Sequence, residues 1–230
     1  MLGLELSAVQ ERQFHRYREG LNEWNERVNL TSRAALADVE RVHFLDSLSV
    51  APVLLREAPE TARVIDVGAG GGFPGVPIKL LLPAIRLTLV EATGKKADFL
   101  RWLVSALGLK DVCVVAQRAE ELAHQPGYRE SFDAATARAL GSLPTVLELT
   151  LPFCEAGGIV VMPRAGDITA EVDQASGVAE ALGGRLRPPV QVGIAGLRGD
   201  MALVVADKVA HTEARYPRRS GVPARKPLAP

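Results

Sequence analysis

The sequence predicts an α/β fold with a mostly parallel sheet of seven strands and an N-terminal helical extension. Three observations lead to this prediction. From residue 63 onward, apolar runs of strand length alternate with stretches of helical periodicity. The first 60 residues show helical periodicity alone. A glycine-rich turn directly follows the first apolar run, which is typical of a doubly wound, Rossmann-like sheet.

The composition is that of an ordinary globular protein. Of the 230 residues, 47% are hydrophobic and 23% are charged, and the formal net charge is zero. Any contact with nucleic acid must therefore come from local basic patches. Because there is no signal peptide at Met1 and no apolar run long enough to cross a bilayer, we expect a cytoplasmic protein without a membrane partner.

The helical extension, residues 1–60, begins with an amphipathic helix predicted over residues 7–28. Ser7 is a suitable N-cap. A second helical stretch follows Ser32, and a third runs from His43 to Leu55. The first helix should bury large side chains that recur every three or four residues, namely Phe14, Tyr17, Leu21, Trp24 and Val28.

Residues 61–209 should form the main domain, and residues 210–230 a separate basic tail. The last two strands are joined by a short connection, so they should pair as an antiparallel hairpin at the sheet edge. Helices are predicted at 75–82, 95–107, 142–153 and 168–182. Strands are predicted at 63–67, 86–91, 111–115, 133–138, 158–163, 186–193 and 202–207.

The glycine-rich turn carries the main functional signal. It runs from Asp66, at the end of the first strand, through Gly68, Gly70 and Gly72 to Gly75. Glycine lets the backbone turn sharply and approach a ligand closely, because no Cβ is in the way. The turn matches the dinucleotide fingerprint at Gly70-x-Gly72-x-x-Gly75, which by itself is a weak signal.

Two features of the turn favour a cationic ligand over a pyrophosphate. We expect Asp66 to point its carboxylate at the pocket, where it would repel a diphosphate. Pro74 has no N–H to offer to a phosphate at the following helix. S-adenosylmethionine carries a sulfonium and an ammonium, so the turn predicts this cofactor, with Asp66, Gly68, Gly70 and Gly72 as its binding residues.

A second acid supports this prediction. Glu91 ends the apolar run that begins at Arg86, about 20 residues beyond the turn. A carboxylate in this place can accept hydrogen bonds from both hydroxyls of an adenosine ribose. The two acids could also form a general acid/base pair, because spacing alone does not separate the two interpretations.

The cysteines and histidines indicate neither a disulfide framework nor a metal site. Cys113 and Cys154 both lie in apolar stretches and should be buried thiols in a reducing compartment. None of the four histidines has metal-ligand spacing with a cysteine. We therefore expect no metal.

The tail is basic and interrupted by prolines, so the sequence predicts no helix there. Two interpretations stay open. The tail could be a disordered appendage that aids solubility. It could also contact RNA phosphates, with Tyr216 available for stacking on a base and Arg215, Arg218 and Arg219 as the phosphate ligands.

Six short segments that span most of the chain form a recognisable set. They are residues 29–32, 43–47, 66–75, 94–96 with 99–100, 137–139 and 216–223. Together they make the chain resemble the bacterial 16S ribosomal RNA guanine-N7 methyltransferases, the family called RsmG or glucose-inhibited division protein B. The resemblance implies the class I S-adenosylmethionine-dependent methyltransferase architecture, and 16S rRNA or the small ribosomal subunit as partner.

The resemblance also implies site residues. Gly68 and Phe73 would line the cofactor site. The ribose would be contacted by Glu91, Ala92 and Thr93, and the adenine edge by Ala119 and Glu120. Arg138 would lie by the cofactor and the incoming base. Two positions depart from the family pattern, which commonly has Lys at Arg164 and Ser or Thr at Ala69. The candidate RNA-binding residues are Asn29, His43, Arg138, Arg164, Arg198, Arg215, Arg218 and Arg219.

N7 of guanine has an in-plane lone pair and can accept a methyl group without first losing a proton. No general base is then needed, and we name no catalytic residue beyond positioning by Arg138. His43 is either a satisfied core or capping histidine or part of the substrate site. A nicotinamide-dependent oxidoreductase and a non-catalytic RNA-binding module remain the alternative functions.

Overall fold

The computed structural model describes residues 6–194, 196–197 and 199–229. The strands are β1 Arg63–Val67, β2 Arg86–Val90, β3 Val112–Val115, β4 Phe132–Thr136, β5 Cys154–Ala165, β6 Gly184–Leu186, β7 Val190–Gln191 and β8 Met201–Lys208. They form a sheet with the order β3-β2-β1-β4-β5-β8-β6, and β7 pairs with β8.

The predicted parallel sheet is confirmed, since β1 to β5 all pair in parallel and β8 joins them antiparallel. The predicted seven strands and the single strand over 186–193 are wrong. That segment is divided into β6 and β7 because Pro188 and Pro189 have no N–H for a continuous ladder. Both pieces pair antiparallel with β8, which makes eight strands in the part of the chain that the structure describes.

Helices cover both faces of the sheet. The α-helices are α1 Ala8–Asn25, α2 Arg33–Ala37, α3 Asp46–Leu48, α4 Ala51–Glu57, α5 Gly75–Leu81, α6 Gly94–Ala106, α7 Ala119–Leu122, α8 Leu143–Thr150, α9 Thr169–Ala181 and α10 Val222–Arg225. A π-helix occupies Glu40–Leu45 and a 3-10 turn occupies Leu151–Phe153. One hydrophobic core lies between α8, α9 and one face of the sheet, and the other lies between α1, α5, α6 and the opposite face.

The helical extension is packed against the sheet domain. Ser7 caps α1 in a capping box with Gln10, as its position predicted. Tyr17 is fully buried, and its hydroxyl donates to the carbonyl of Gly71 in the glycine turn at 2.5 Å. The first helix therefore supports the turn from behind.

The tail is an ordered part of the structure, so both the prediction of no helix and the disordered alternative are wrong. Tyr216 and Thr212 are buried, and the Arg129 guanidinium donates to the carbonyls of both. Pro223 lies in the first turn of α10, where a missing N–H costs no hydrogen bond. The contacts with Arg129 join the tail to the domain.

The two cysteines differ in exposure. Cys154 is buried as expected, but Cys113 is exposed, because β3 is the edge strand of the sheet. No helix among the described ranges is both long and apolar enough to cross a membrane.

Candidate cofactor and substrate cavity

The loops that follow the parallel strands line a cavity of about 810 Å³ at the carboxyl edge of the sheet. This is the edge at which doubly wound sheets bind their ligands. The loops after β1, β2 and β3 line one part of the cavity. The loop after β4, the carboxyl end of β5 and residues between 30 and 46 of the helical extension line the other part. We call the first part the cofactor end and the second the substrate end.

The glycine turn forms the floor of the cofactor end. Gly68 and Gly70 both line the cavity and adopt left-handed backbone conformations, with φ of +72° and +54°. A Cβ at Gly68 would also collide with the side chain of Leu140. Only glycine satisfies both conditions at Gly68 without a shift of the neighbouring loop.

The predicted placement of Asp66 in the cavity is wrong. Its side chain is fully buried, and Oδ2 accepts a hydrogen bond from the N–H of Gly75 at 2.8 Å. The carboxylate thus faces the start of α5 beneath the turn. Its other oxygen, Oδ1, has no partner among the described residues. Burial raises the pKa of Asp66 to about 7, although the Gly75 N–H and Arg138 act in the opposite direction.

Gly72 does not line the cavity either. Its φ is +94°, and a Cβ there would press on the hydroxyl of Tyr17 at 2.5 Å. Asp66 and Gly72 therefore stabilise the turn from the side that faces away from the cavity. The remaining predicted cofactor residues all line the cavity, namely Gly68, Gly70, Phe73, Glu91, Ala92, Thr93, Ala119, Glu120 and Arg138.

The Glu91 carboxylate connects the loop after β1 to the loop after β2 by hydrogen bonds. Its Oε2 accepts from the N–H of Gly70 at 3.0 Å, and its Oε1 accepts from the N–H of Thr93 at 2.7 Å. Each carboxylate oxygen has a second lone-pair site. The carboxylate can therefore fix both loops and still accept two hydroxyl hydrogens from a ribose.

The tail closes the far side of the cofactor end. Glu120, at the start of α7, is 8% exposed, and its Oε1 accepts from the N–H of Gly221 at 2.7 Å. Gly221 and Ala224 line the cavity themselves. Sequence reasoning did not anticipate this contact, because it joins residues far apart in the chain.

Arg138 is the central cation of the substrate end. Its Nη1 lies 2.6 Å from Oδ2 of Asp46, and both side chains are largely buried. Its guanidinium also lies over the Phe73 ring, with Cζ 4.9 Å from the ring centroid. Asp46 is therefore a buried partner of Arg138 and not an exposed helical residue. The signal was available, because His43 and Asp46 lie three residues apart and so share a helix face.

The His43 ring stacks on Phe73 and forms hydrogen bonds with the side chains of Arg138 and Thr31. The two ring centroids are 4.4 Å apart, with planes inclined by 18°. His43 Nδ1 lies 2.6 Å from Arg138 Nη2, and Nε2 lies 2.7 Å from Thr31 Oγ1. Burial and the neighbouring Arg138 lower the pKa of His43 to about 4, so the ring is neutral at physiological pH.

The other candidate RNA-binding residues are distributed unevenly. Arg164 lines the cavity, where Gly141 O and Glu171 hold its guanidinium at 2.8 and 3.2 Å. Asn29 is exposed, and Leu30 and Thr31 line the cavity in its place. Arg198 lies outside the described residues.

The tail arginines lie outside the cavity lining and have different surroundings. Arg215 and Arg219 are exposed. Arg218 forms an ion pair with Glu148, whose side chain is fully buried, at 2.6 Å. Arg218 therefore stabilises the fold by pairing with a buried carboxylate.

Comparison with known proteins gives a consistent family. A family model described as GidB, rRNA small subunit methyltransferase G, matches residues 10–187. Ribosomal RNA small subunit methyltransferase G of Dehalococcoides mccartyi strain CBDB1 is 44% identical over 99% of this chain and 95% of its own length. The protein of the same name from Roseiflexus sp. strain RS-1 is 46% identical over 98% and 95%.

Solved structures show the same fold at low identity. A point mutant of MtNAS in complex with S-adenosylmethionine is similar with a TM-score of 0.55 and 14% identity, over 87% of this chain and 73% of that one. M. jannaschii TYW2 in complex with AdoMet is similar with a TM-score of 0.51 and 15% identity, over 70% and 74%. The fold is that of the class I S-adenosylmethionine-dependent methyltransferases. These relatives do not favour an oxidoreductase or a non-catalytic RNA-binding module.

Proposed function

This chain belongs to the rRNA small subunit methyltransferase G family, and we propose that it methylates N7 of a guanine in 16S rRNA with S-adenosylmethionine as the methyl donor. One observation carries the proposal. The Glu91-braced glycine turn and an arginine-lined substrate end share a single cavity, and they meet at Phe73.

The residues at the cofactor end fit S-adenosylmethionine. Glu91 has two oxygen sites left for ribose hydroxyls, and the absence of a Cβ at Gly68 and Gly70 lets the backbone approach the ligand. Bound there, the cofactor would supply an electrophilic methyl group on a sulfonium. The protein then has to hold the acceptor base in line with that methyl group.

The substrate end suits a base that needs no deprotonation. N7 of guanine has a free lone pair in the ring plane, so positioning can carry the reaction without a general base. Methylation gives the base a positive charge, which an isolated arginine would oppose. Asp46 offsets the charge of Arg138 at 2.6 Å, so this cation can position a group without adding an uncompensated positive charge.

The cations at the rim fit an RNA partner. Arg41 and Arg164 line the cavity, and Arg215 and Arg219 are exposed on the tail. Bases in unpaired RNA can be splayed out and stacked on aromatic or guanidinium planes. A single unstacked guanine entering the substrate end would meet this kind of surface.

Methyl transfer to defined substrates tests the proposal. Naked 16S rRNA, assembly intermediates and mature 30S subunits lacking the modification are each incubated with protein and S-adenosylmethionine labelled in the methyl group. N7-methylguanine is then located by reductive cleavage with borohydride and aniline. We expect label at one guanine, in at least one of the three substrates.

Gly68→Val is the matched inactive control. Its side chain would occupy a left-handed position against Leu140, so it should lose cofactor binding and methylation while circular dichroism still shows a folded protein. Label without a cleavage site would contradict N7 as the target. An absence of label in all three substrates would contradict the function.

A further inference from the structure

The hydrogen-bond direction through His43 is fixed by its neighbours. Arg138 can only donate, so the His43 Nδ1 at 2.6 Å from its Nη2 must accept. The ring is neutral, because burial and Arg138 hold its pKa near 4. The single ring proton therefore lies on Nε2.

Thr31 receives that proton as a hydrogen bond. Nε2 of His43 lies 2.7 Å from Thr31 Oγ1, so the hydroxyl oxygen accepts and its own hydrogen is left to donate elsewhere. Asn25 fixes the backbone of Thr31 on both sides, accepting from its N–H at 3.0 Å and donating to its carbonyl at 3.1 Å. Thr31 lines the cavity, so the hydrogen bonds from Arg138 through His43 to Thr31 leave a positioned hydroxyl donor at the substrate end.

The Hoogsteen edge of a purine gives such a donor a discriminating role. Guanine presents two acceptors there, N7 and O6, whereas adenine presents the N7 acceptor and the N6 amino donor. N7 must keep its lone pair free to receive the methyl group. O6 is then the remaining atom on that edge for a protein donor to read, and an adenine amino group in its place would oppose the donor.

We propose that the Thr31 hydroxyl donates to O6 of the target guanine and so selects guanine over adenine. This inference rests on the proposed function. Arg138 and His43 act as positioning residues in it, because they set the direction of the Thr31 hydroxyl and need not touch O6. Thr31 is the specificity-determining residue.

A substrate base that lacks O6 tests the inference. The target guanine of a methylated RNA or subunit is replaced by 2-aminopurine, which keeps N7 but has hydrogen in place of O6 and no hydrogen on N1. We expect the wild-type kcat/KM to fall about 10-fold or more on this replacement, since a hydrogen bond in a desolvated site is removed. Thr31→Val should show a similar loss on guanine and almost no further loss on 2-aminopurine.

Two controls make the result specific. Thr31→Ser keeps the hydroxyl, so it should retain the wild-type sensitivity to the replacement of O6. Cofactor affinity by calorimetry should be the same in all three proteins, because Thr31 lies at the substrate end. Thr31→Val should also show a smaller preference for guanine over adenine than the wild type.

An error in the Thr31 assignment and an error in the proposed function give different results. If the wild type methylates guanine N7 but Thr31→Val is still slowed as much as wild type by 2-aminopurine, the Thr31 assignment is wrong and the function stands. If the wild type methylates no guanine N7, both are wrong.

Discussion

At the scale of single residues, the two acids near the glycine turn differ in what their carboxylates face. Asp66 is fully buried and satisfies a backbone N–H behind the turn, whereas Glu91 borders the cavity and braces two loops. Both are at the ends of neighbouring strands. We therefore expect different effects on cofactor affinity when each carboxylate is replaced by the uncharged amide.

Asp66→Asn should keep cofactor affinity, because an amide oxygen can still accept from the N–H of Gly75. Asp66→Ala removes that acceptor and should destabilise the protein by about 1–3 kcal/mol, the cost of an unsatisfied buried donor. Calorimetry with S-adenosylmethionine and urea unfolding measure the two effects. An equal loss of cofactor affinity in both variants would show that the carboxylate charge acts on the cofactor.

The pH dependence of Asp66→Asn follows from the raised pKa of Asp66. A carboxyl with a pKa of about 7 in the folded protein favours folding at acidic pH, and this contribution is lost as pH rises through 7. The wild type should therefore lose stability between pH 5 and pH 8, whereas Asp66→Asn should not. The free energy of unfolding of the variant, relative to that of the wild type, should increase over this range. Arg138 opposes the raised pKa and Glu91 supports it. A pH-independent difference would contradict this assignment.

Glu91→Gln should weaken cofactor binding by about 1–2 kcal/mol. The amide keeps one acceptor oxygen, and its NH₂ group would face the N–H of Gly70 or Thr93, so one loop loses its brace. Isothermal calorimetry measures the loss. Glu155→Gln is the control, because Glu155 pairs with Arg63 at the amino ends of β5 and β1, away from the cavity. Unaltered affinity in Glu91→Gln would exclude a ribose contact.

At the scale of elements, the tail is joined to α8 by a buried ion pair. Both Nε and Nη2 of Arg218 donate to the carboxylate of Glu148, at 2.9 and 2.6 Å, and the backbone N–H of Arg218 donates to the same group. Thr145 on α8 donates to the carbonyl of Pro223 at 3.0 Å. These bonds hold α10 against α8 and place Gly221 beside the cavity.

Arg218→Ala should cost about 3–5 kcal/mol of stability, because it leaves the fully buried Glu148 without its cation. Arg218→Lys should recover part of the loss, since a lysine keeps the charge but not the forked geometry. Arg215→Ala is the matched control, since its ion pair with Glu213 is exposed and should be worth less than about 1 kcal/mol. Equal effects of Arg218→Ala and Arg215→Ala on urea unfolding would contradict the buried pairing.

At the scale of the whole molecule, the extension, the sheet and the tail surround one cavity. The extension supplies Thr31, His43 and Asp46, the sheet loops supply the turn and Glu91, and the tail supplies Gly221. The sequence motifs place no cofactor-binding residue in the tail, so they predict that deletion of residues 212–230 leaves cofactor affinity intact. The position of Gly221 and Ala224 in the cavity lining leads to a different prediction.

Deletion of residues 212–230 should lower both stability and cofactor affinity. It removes the N–H that satisfies Glu120 and one wall of the cofactor end, and it leaves Glu148 unpaired. The thermal shift produced by S-adenosylmethionine and the affinity by calorimetry should both decrease. Full cofactor affinity in a folded truncated protein would show that the tail merely covers the site.

Neutralising Arg215 and Arg219 together should test RNA binding without disturbing the fold, because both are exposed. For every phosphate that the variant no longer neutralises, the slope of log affinity against log salt should decrease by about 1. Filter binding of the RNA substrate over a salt series measures the slope. A wild-type slope in the double variant would place the RNA-binding cations elsewhere on the rim.

The sequence alone determined the features that depend on local pattern. Periodicity predicted most of the strands and helices, because one face of each must be apolar to pack. The glycine spacing and Glu91 located the cofactor end, since a tight turn at a strand end needs glycine whatever its surroundings.

Only the tertiary structure decided what depends on distant neighbours. It turned Asp66 away from the cavity, paired Asp46 with Arg138 and Glu148 with Arg218, and brought Gly221 to Glu120. A polar side chain in a sequence is compatible with solvent, ligand or a buried partner. Which of these it meets is settled when the chain folds, because burial makes an unpaired charge costly and selects the partner.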